Sequence, residues 1–371
     1  MIAVTGVGAA SVLGWGAEAL FDGLLAGRAP FSAAPWGSEG TAARLPDEPV
    51  AAAMALAAAR EALHGLDDPE GLAVVGGSTA GHMRLGEVAW EEVLRGGIPD
   101  DRTQYVWRQL CHEPTRLVRD ALKATGPCLT LSTACTSGAA AIGVAADLVT
   151  AGRSRRALAI GVDALCRTTL DGFGCLGVRS TRPCRPFDRD RDGMSLGEGA
   201  GALLLEDLET AQARGAVPLA VLSGYGNASD AYHLTAPHPE GRGARTAIRA
   251  ALGALPGATV DFVCAHATGT TLNDQMEARV LRETTPNAAV GAYKGALGHT
   301  LGAAGALEAV IAVLVLQRGR IPPSTGLVTP DPAADGLDLV REAREAQPTW
   351  ALSVNFAFGG NNTALLFQRA P

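Results

Sequence analysis

Two kinds of apolar run alternate along the chain. Short β-prone stretches, at Ile2 to Val7 and again at Pro218 to Leu222, predict strands, whereas long stretches of small and aliphatic residues predict helices. Two of these long stretches open at Cys135-Thr136-Ser137-Gly138-Ala139-Ala140, running on to Gly152, and at His299-Thr300-Leu301-Gly302-Ala303-Ala304, running on to Gly319. Neither helix has a broad polar face. Helices of this kind lie in the middle of a structure, where Ala and Gly let neighbouring backbones come close.

The two openings share the pattern x-T-x-G-A-A, and the likeness extends further. Gly199-Ala200-Gly201-Ala202-Leu203-Leu204-Leu205 resembles Asn361-Asn362-Thr363-Ala364-Leu365-Leu366-Phe367, each closing its half with a strand. The chain thus reads as two copies of one α/β unit, residues 1–212 and 213–371, each with a central helix and a sheet. Strands alternating with helices through short Gly-rich links predict mostly parallel sheets covered on both faces. In such folds chemistry gathers at strand ends and helix N-termini. Cys135 and His299 both stand at such a terminus, so a pseudo-twofold relation between the halves would let them face one pocket.

Composition narrows the function. Of 371 residues, 31 are Lys or Arg and 38 Asp or Glu, a net charge of −7, and no basic run offers phosphates a counter-charge, which argues against nucleic acid. Only Lys123 and Lys294 are lysines, so a lysine here invites a reason. The cysteines Cys111, Cys128, Cys135, Cys166, Cys175, Cys184 and Cys264 form an odd set without a C-x-x-C pair, against both a disulfide framework and a zinc site. The beginning, Met1 to Gly8, lacks a basic segment ahead of its apolar residues, and the apolar stretch from Ala303 to Leu316 contains Glu308. A cytoplasmic protein with no membrane association is expected.

Cys135 follows Leu131-Ser132-Thr133-Ala134 at a sharp strand-to-helix turn. Free N–H groups and the helix dipole there would lower the thiol pKa and make the sulfur nucleophilic, although a free Cys is otherwise a small buried hydrophobe. His266, after Asp261-Phe262-Val263-Cys264-Ala265, and His299, after Lys294-Gly295-Ala296-Leu297-Gly298, could donate hydrogen bonds to a thioester carbonyl as negative charge develops on it, or be structural. Lys294 can bind a carboxylate and a backbone carbonyl together, with Glu308 as its counter-ion; a surface lysine is the bland alternative. Asn355-Phe356-Ala357-Phe358-Gly359-Gly360 could turn an N–H toward a pocket, completing an oxyanion hole with the N–H of Cys135, with Phe358 as an apolar gate, or could be an ordinary hairpin turn. The charged stretch Pro186 to Met194 lacks calcium-loop spacing and reads as a structural loop held by internal ion pairs. Gly6-Val7-Gly8 is a weak dinucleotide signal, since Ser11 stands where a third glycine belongs.

As a set, these motifs are distinctive: Thr133-Ala134-Cys135-Thr136-Ser137-Gly138, Asp230-Ala231-Tyr232-His233-Leu234-Thr235, His266-Ala267-Thr268-Gly269-Thr270 with Asn273-Asp274, Lys294 through His299 to Gly305, and Phe356-Ala357-Phe358-Gly359-Gly360. The set resembles the elongating β-ketoacyl-acyl carrier protein synthases of the thiolase superfamily, from Gly6 to Phe367 and most closely after about Gly126. The resemblance implies an α/β, thiolase-like five-layered αβαβα sandwich of two pseudo-repeated halves. It implies an acyltransferase that moves an acyl group from the phosphopantetheine of acyl carrier protein to Cys135, then condenses it with decarboxylated malonyl carrier protein. Cys135, His266, His299, Lys294 and Phe358 become the catalytic set, with the histidines stabilising the enolate and Phe358 gating. Thr268, Thr270, Asp230, His233 and Glu308 form the substrate-binding and ordering set. No metal and no cofactor beyond the carrier's own arm is implied.

The pattern Cys-His-His separates this chain from initiating synthases, which use Cys-His-Asn, and from thiolases, which have a second catalytic Cys; none follows Cys264. The expected assembly is a homodimer, or a heterodimer with a second ketosynthase-like subunit. Two alternatives stand beside it: a non-catalytic partner subunit of the chain-length-factor kind, and a thiolase-like enzyme of acyl-CoA. Ala267, Ala357 and Asn361 depart from the family's Gly, Gly and Thr, so the gate is expected to be differently shaped or stiffer. The chain is short between about Pro35 and Val50 and around Arg102 to Lys123, closer to specialised polyketide and aryl-polyene synthases than to housekeeping fatty-acid enzymes.

Overall fold

A computed structural model describes all residues except 47–48, 67, 98–106, 254–258 and 371. Part of the shortened stretch around Arg102 therefore lies outside the described residues. The principal elements of the first half are β1 (Ile2–Ser11), α1 (Ala17–Leu25), α2 (Ala51–Ala62), β2 (Ala73–Gly77), α3 (Met83–Leu94), α4 (Glu113–Leu122), β3 (Cys128–Leu131), α5 (Ser137–Thr150), β4 (Arg156–Asp163), α6 (Arg167–Cys175) and β5 (Gly199–Asp207). Those of the second are β6 (Ala220–Ser229), α7 (Arg242–Leu252), β7 (Phe262–Cys264), α8 (Thr271–Thr284), β8 (Ala289–Gly291), α9 (Ala304–Arg318), β9 (Asp338–Leu339), β10 (Trp350–Phe356) and β11 (Asn361–Arg369).

Hydrogen bonding joins the strands in the order β9-β8-β7-β10-β11-β6-β1-β5-β4-β2-β3. Read outward from the β1/β6 joint, the halves run β1-β5-β4-β2-β3 and β6-β11-β10-β7-β8. Each half makes two antiparallel pairings followed by two parallel ones, so one topology occurs twice. The joint is short: Ile2 pairs with Leu222, Ala3 with Val221 and Val4 with Ala220, antiparallel. Both β1 and β6 carry a bulge at the matching place, between Val4 and Gly6 and between Leu222 and Gly224. A local twofold axis thus passes between Ala3 and Val221.

Helices α5 and α9 fill the space between the two half-sheets and pack on each other, while α2 and α4 cover the first sheet outside and α7 and α8 the second. The layers run α, β, α, β, α, as the resemblance implies. The stretch Leu301–Arg318 is long and apolar enough to cross a bilayer, yet every residue from Ala304 to Leu316 is buried between sheets. The second central helix also begins differently from the first: a 3-10 turn, Leu301–Ala303, precedes α9, so His299 is not directly at an α-helix tip.

Glycine sets how closely the layers approach. A Cβ on Gly6 or Gly8 would lie 1.9 or 2.0 Å from the carbonyl oxygens of Ala62 and Ala58 in α2, and one on Gly224 or Gly226 would lie 2.0 Å from those of Ala251 and Ala247 in α7. Gly6-Val7-Gly8 is therefore a packing surface, and its counterpart in the second half does the same work. At the centre, a Cβ on Gly138 would meet Gly302 O at 2.7 Å and Ala306 N at 2.9 Å, so the glycine of one x-T-x-G-A-A motif packs against the other motif. Gly226→Ala is expected to destabilise the protein by about 1–3 kcal/mol, the ordinary cost of overpacking. A lowered urea midpoint would show this; an unchanged midpoint would mean that α7 can simply move away.

Candidate active site

Strand β3 ends at Leu131, and six residues later the chain has entered α5. Ala134 makes the turn with φ 53°, and Ser137 Oγ holds it by accepting from the Thr133 N–H (2.9 Å) and donating to the Ala134 carbonyl (2.6 Å). Cys135 is left just ahead of the helix, only 5% exposed, its sulfur facing the backbone N–H groups of Phe358 and of Cys135 itself. These are the two donors expected of an oxyanion hole. The thiol, however, is not acidified. Burial pushes it up to about 11, and the opposing pull of Lys294 and the two N–H groups does not compensate, with Asp163 adding to the rise. The expectation of a lowered thiol pKa fails because desolvation outweighs the helix terminus.

The second half supplies both imidazoles. His299 Nε2 lies 3.1 Å from Cys135 Sγ, and the His266 and His299 rings meet edge to face with centroids 5.2 Å apart. One donor atom from each of Cys135, His266 and His299 lies within 4.8 Å of the others. The tautomers follow from what each Nδ1 faces. His299 Nδ1 accepts the Leu301 N–H at 3.3 Å, and His266 Nδ1 faces the Lys294 ammonium at 3.3 Å and the Asn355 amide nitrogen at 3.4 Å, both donors. Each ring must therefore carry its proton on Nε2 and offer it to the cavity. Burial, reinforced by Lys294, holds both imidazoles well below their ordinary pKa, with His299 adding to the effect on His266. They are neutral donors at pH 7.

This donor set does not suit a metal. A ligating imidazole needs a lone pair on Nε2, which would move its proton onto Nδ1 against the Leu301 N–H or the Lys294 ammonium.

Lys294 stands behind His266, 2% exposed, donating to the His266 carbonyl at 2.5 Å and to Glu308. The other oxygen of Glu308 accepts from the Asn355 amide at 2.5 Å. Burial raises the Glu308 carboxyl and Lys294 opposes that rise. The ammonium thus bridges a carboxylate and a carbonyl, but neither Lys294 nor Glu308 reaches the cavity. Glu308, expected among the substrate-binding residues, and Lys294, expected among the catalytic ones, are positioning residues. Glu277, in α8, grips the same strand end from the other side, accepting the N–H groups of His266 and Ala267 at 2.7 Å each. Burial pushes its carboxyl up to about 8. This grip fixes Ala267 at φ 37°, in the region that glycine would occupy without strain.

A cavity of about 250 Å³ opens onto the sulfur, lined by Cys135, His266, His299, Thr268, Thr270, Asp230 and Phe358 among others. The Thr268 and Thr270 hydroxyls are 2.9 Å apart on one wall. Asp230 is part of the gate's frame. It accepts the His238 and Gly243 N–H groups and the Asn362 amide, while its own N–H donates to the Gly360 carbonyl. His233, expected to bind substrate, lies on the exposed outer side of the 230–238 loop, outside the cavity. Its Nδ1 accepts the Thr235 and Ala236 N–H groups and shapes that loop instead. Phe173 in α6, which sequence reading passed over, stacks on Phe358 with centroids 5.5 Å apart. The charged 186–194 loop is tied outward, Arg191 to Asp274 and Asp331 and Asp188 to the Val328 and Thr329 N–H groups, rather than mainly by pairs within itself.

Known proteins share this chain's sequence and fold. Residues 50–211 match the model of the β-ketoacyl synthase N-terminal domain and residues 219–328 that of its C-terminal domain. The chain belongs to the β-ketoacyl synthase family. A 3-oxoacyl-[acyl-carrier-protein] synthase 2 of Staphylococcus aureus (strain COL) is 36% identical over 306 residues, covering 79% of this chain and 74% of that one. The solved structure "The ishigamide ketosynthase/chain length factor" superposes with a TM-score of 0.93 at 32% identity, over 100% of this chain and 99% of that one. A second, "AntDE:AntF (apo): type II PKS acyl-carrier protein in complex with its ketosynthase bound to the hexaketide", gives 0.90 at 25% identity, over 100% and 99%.

Within this synthase the departures at the gate are mild. Ala357 is in ordinary extended backbone (φ −123°, ψ 155°), and Gly359 and Gly360 carry the positive φ angles, so the alanine imposes no strain. The buried imidazoles also set a pH response. With folded-state pKa values below the unfolded 6.5, their contribution to stability is present above pH 6.5 and lost as pH falls. The stability of the parent relative to His299→Gln should therefore decline between pH 7 and pH 5 in urea titrations. A difference independent of pH would show that His299 is not held neutral.

Proposed function

We propose that this chain is an elongating β-ketoacyl-acyl carrier protein synthase in which Cys135 carries the growing acyl group and the Nε2–H donors of His266 and His299 stabilise the enolate. The observation that carries the reading is the Cys135 sulfur, 3.1 Å from His299 Nε2 and faced by two backbone N–H groups, at the end of an open cavity. In the first stage the Cys135 sulfur attacks the thioester of an acylated carrier arm. The tetrahedral oxyanion sits against the N–H groups of Cys135 and Phe358, and the thiol proton ends on the departing pantetheine sulfur.

In the second stage a malonyl carrier arm lies along Thr268 and Thr270. Its carbon–carboxylate bond breaks, carbon dioxide leaves, and the electron pair becomes an enolate whose oxygen faces the two Nε2–H groups. The enolate carbon then attacks the acyl-Cys135 carbonyl, the carbon–sulfur bond breaks and the sulfur leaves as a thiolate that takes a proton from solvent through the cavity, giving a 3-oxoacyl product two carbons longer. Neutral donors already fixed in place need no reorganisation when this charge appears. Lys294, Glu308 and Asn355 keep His266 in its tautomer. The halves divide the work, with residues 1–212 supplying the thiol and 213–371 the imidazoles.

The partners are a carrier protein and a second subunit, identical or ketosynthase-like. Among the described residues β3 ends the sheet with an unpaired edge and an exposed Leu129, and α3 exposes Val88, Trp90, Val93 and Leu94, surface that a subunit interface would cover. The setting is cytoplasmic, with fatty-acid-like or polyketide chains as products. Retention of Cys135 in a competent site favours the catalytic reading over a chain-length-factor role. Incubating the protein with an acylated carrier should add the acyl mass to the parent and not to Cys135→Ala, and adding malonyl carrier should release 3-oxoacyl product. No mass gain by folded parent protein with its partner present would overturn the proposal.

A further inference from the structure

Asp163, the last residue of β4, is a carboxylate with no solvent exposure and no cation paired to it among the described residues. Everything it touches is a donor. The Ser78 hydroxyl (2.7 Å) and the N–H groups of Thr79 (2.9 and 3.1 Å), Ala80 (2.8 Å) and Gly81 (3.1 Å) come from the first half. The Gly302 N–H (2.7 Å) comes from the second. Burial raises this carboxyl, and a donor-only environment opposes that rise, favouring the ionised form with dipoles instead of a counter-ion. One side chain thereby clamps the turn 78–81 to the start of the second central helix.

Each end of the clamp adjoins a strained residue. On one side, Thr79 Oγ1 donates to the Ala134 carbonyl at 3.1 Å and the Ser78 N–H to the Leu131 carbonyl at 3.1 Å, and Ala134, at φ 53°, immediately precedes Cys135. On the other, Gly302 follows Leu301, at φ 51°, whose N–H gives His299 its tautomer. Non-glycine residues are strained in this region and persist only where their surroundings over-determine them. The charge itself does not help the nucleophile, since Asp163 disfavours the thiolate of Cys135. Its position, rather than any activation of the thiol, accounts for its presence.

We propose that Asp163 is a positioning residue for the condensation: by pinning Ala134 and Leu301 together across the two halves, it aims Cys135 and His299 at each other and keeps the His299 proton on Nε2. The inference rests on the condensing reading for its rate consequences, but its spectroscopic consequence does not.

The test is Asp163→Asn in the full chain with its partner. Whichever way the amide turns, its NH2 faces N–H groups that the carboxylate accepted. Histidine-labelled 15N spectra, with the His299 signals assigned through His299→Gln, should show Nε2 protonated in the parent and a mixed tautomer in Asp163→Asn. Release of carbon dioxide from malonyl carrier should fall roughly 100-fold, the scale of an ångström of misplacement, and fall further than self-acylation of Cys135. Leu301→Gly in the Asp163→Asn background should recover part of that loss, because glycine adopts a positive φ without being held there. A folded Asp163→Asn with the parent tautomer, or a double variant with no recovery, overturns the proposal. Should Asp163→Asn not fold, Thr79→Val removes only the tie to Ala134; it should slow self-acylation and leave the His299 tautomer intact, and the opposite pattern overturns the proposal. Failure of the parent to acylate would defeat the condensing reading while leaving the tautomer comparison valid.

Discussion

A neutral imidazole has one proton to give, and in this protein the atoms around each Nδ1 decide where it goes. A Leu301 N–H on one ring and an ammonium with an amide nitrogen on the other leave Nε2–H as the form compatible with both sets of contacts. Two donors then converge beside one sulfur at the end of the cavity. Had either Nδ1 faced a carboxylate, its ring would have become a base or a cation, and the same three residues would suit different chemistry. The buried pair of Lys294 and Glu308 therefore matters less for its own energy, which desolvation largely offsets, than for the tautomer it imposes.

The fold makes that convergence possible by repetition. One sheet topology occurs twice about an axis between Ala3 and Val221, so equivalent motifs arrive at the centre from opposite directions. Because the copies have diverged, one delivers a thiol and the other an imidazole. Close approach of the motifs depends on glycine at positions where a methyl group would strike backbone, as at Gly138. The layers cannot be loosened without moving the thiol away from the rings.

Much of this was legible in the chain itself. The shared x-T-x-G-A-A motif announced the repeat, the scarcity of lysine singled out Lys294, and apolar runs placed both central helices. Other features were hidden for physical reasons. Ala134 and Leu301 give no sign in sequence of their positive φ angles, because they are residues that ordinarily avoid such angles and are held there by distant groups; at Ala267 the only sign is the glycine that the resembling family has there. Desolvation of Cys135 depends on what packs around it from the other half, so the thiol's shift ran opposite to the local expectation. His233 sits within a recognisable motif yet serves its own loop. Asp163 carries no motif signal, and Asn355, although it opens the stretch Asn355 to Gly360, shows its role only through the groups it binds.

The account stands on charge development at two imidazole donors in the second stage and not in the first. Its most direct test loads the parent, His266→Ala and His299→Ala enzymes with an acyl group on Cys135, then follows carbon dioxide release from malonyl carrier. The account predicts that both variants become acylated at rates within about tenfold of the parent, while decarboxylation falls by about 100-fold or more, the cost of removing an oxyanion donor. Equal losses in the two stages, or decarboxylation at the parent rate without either imidazole, would contradict it.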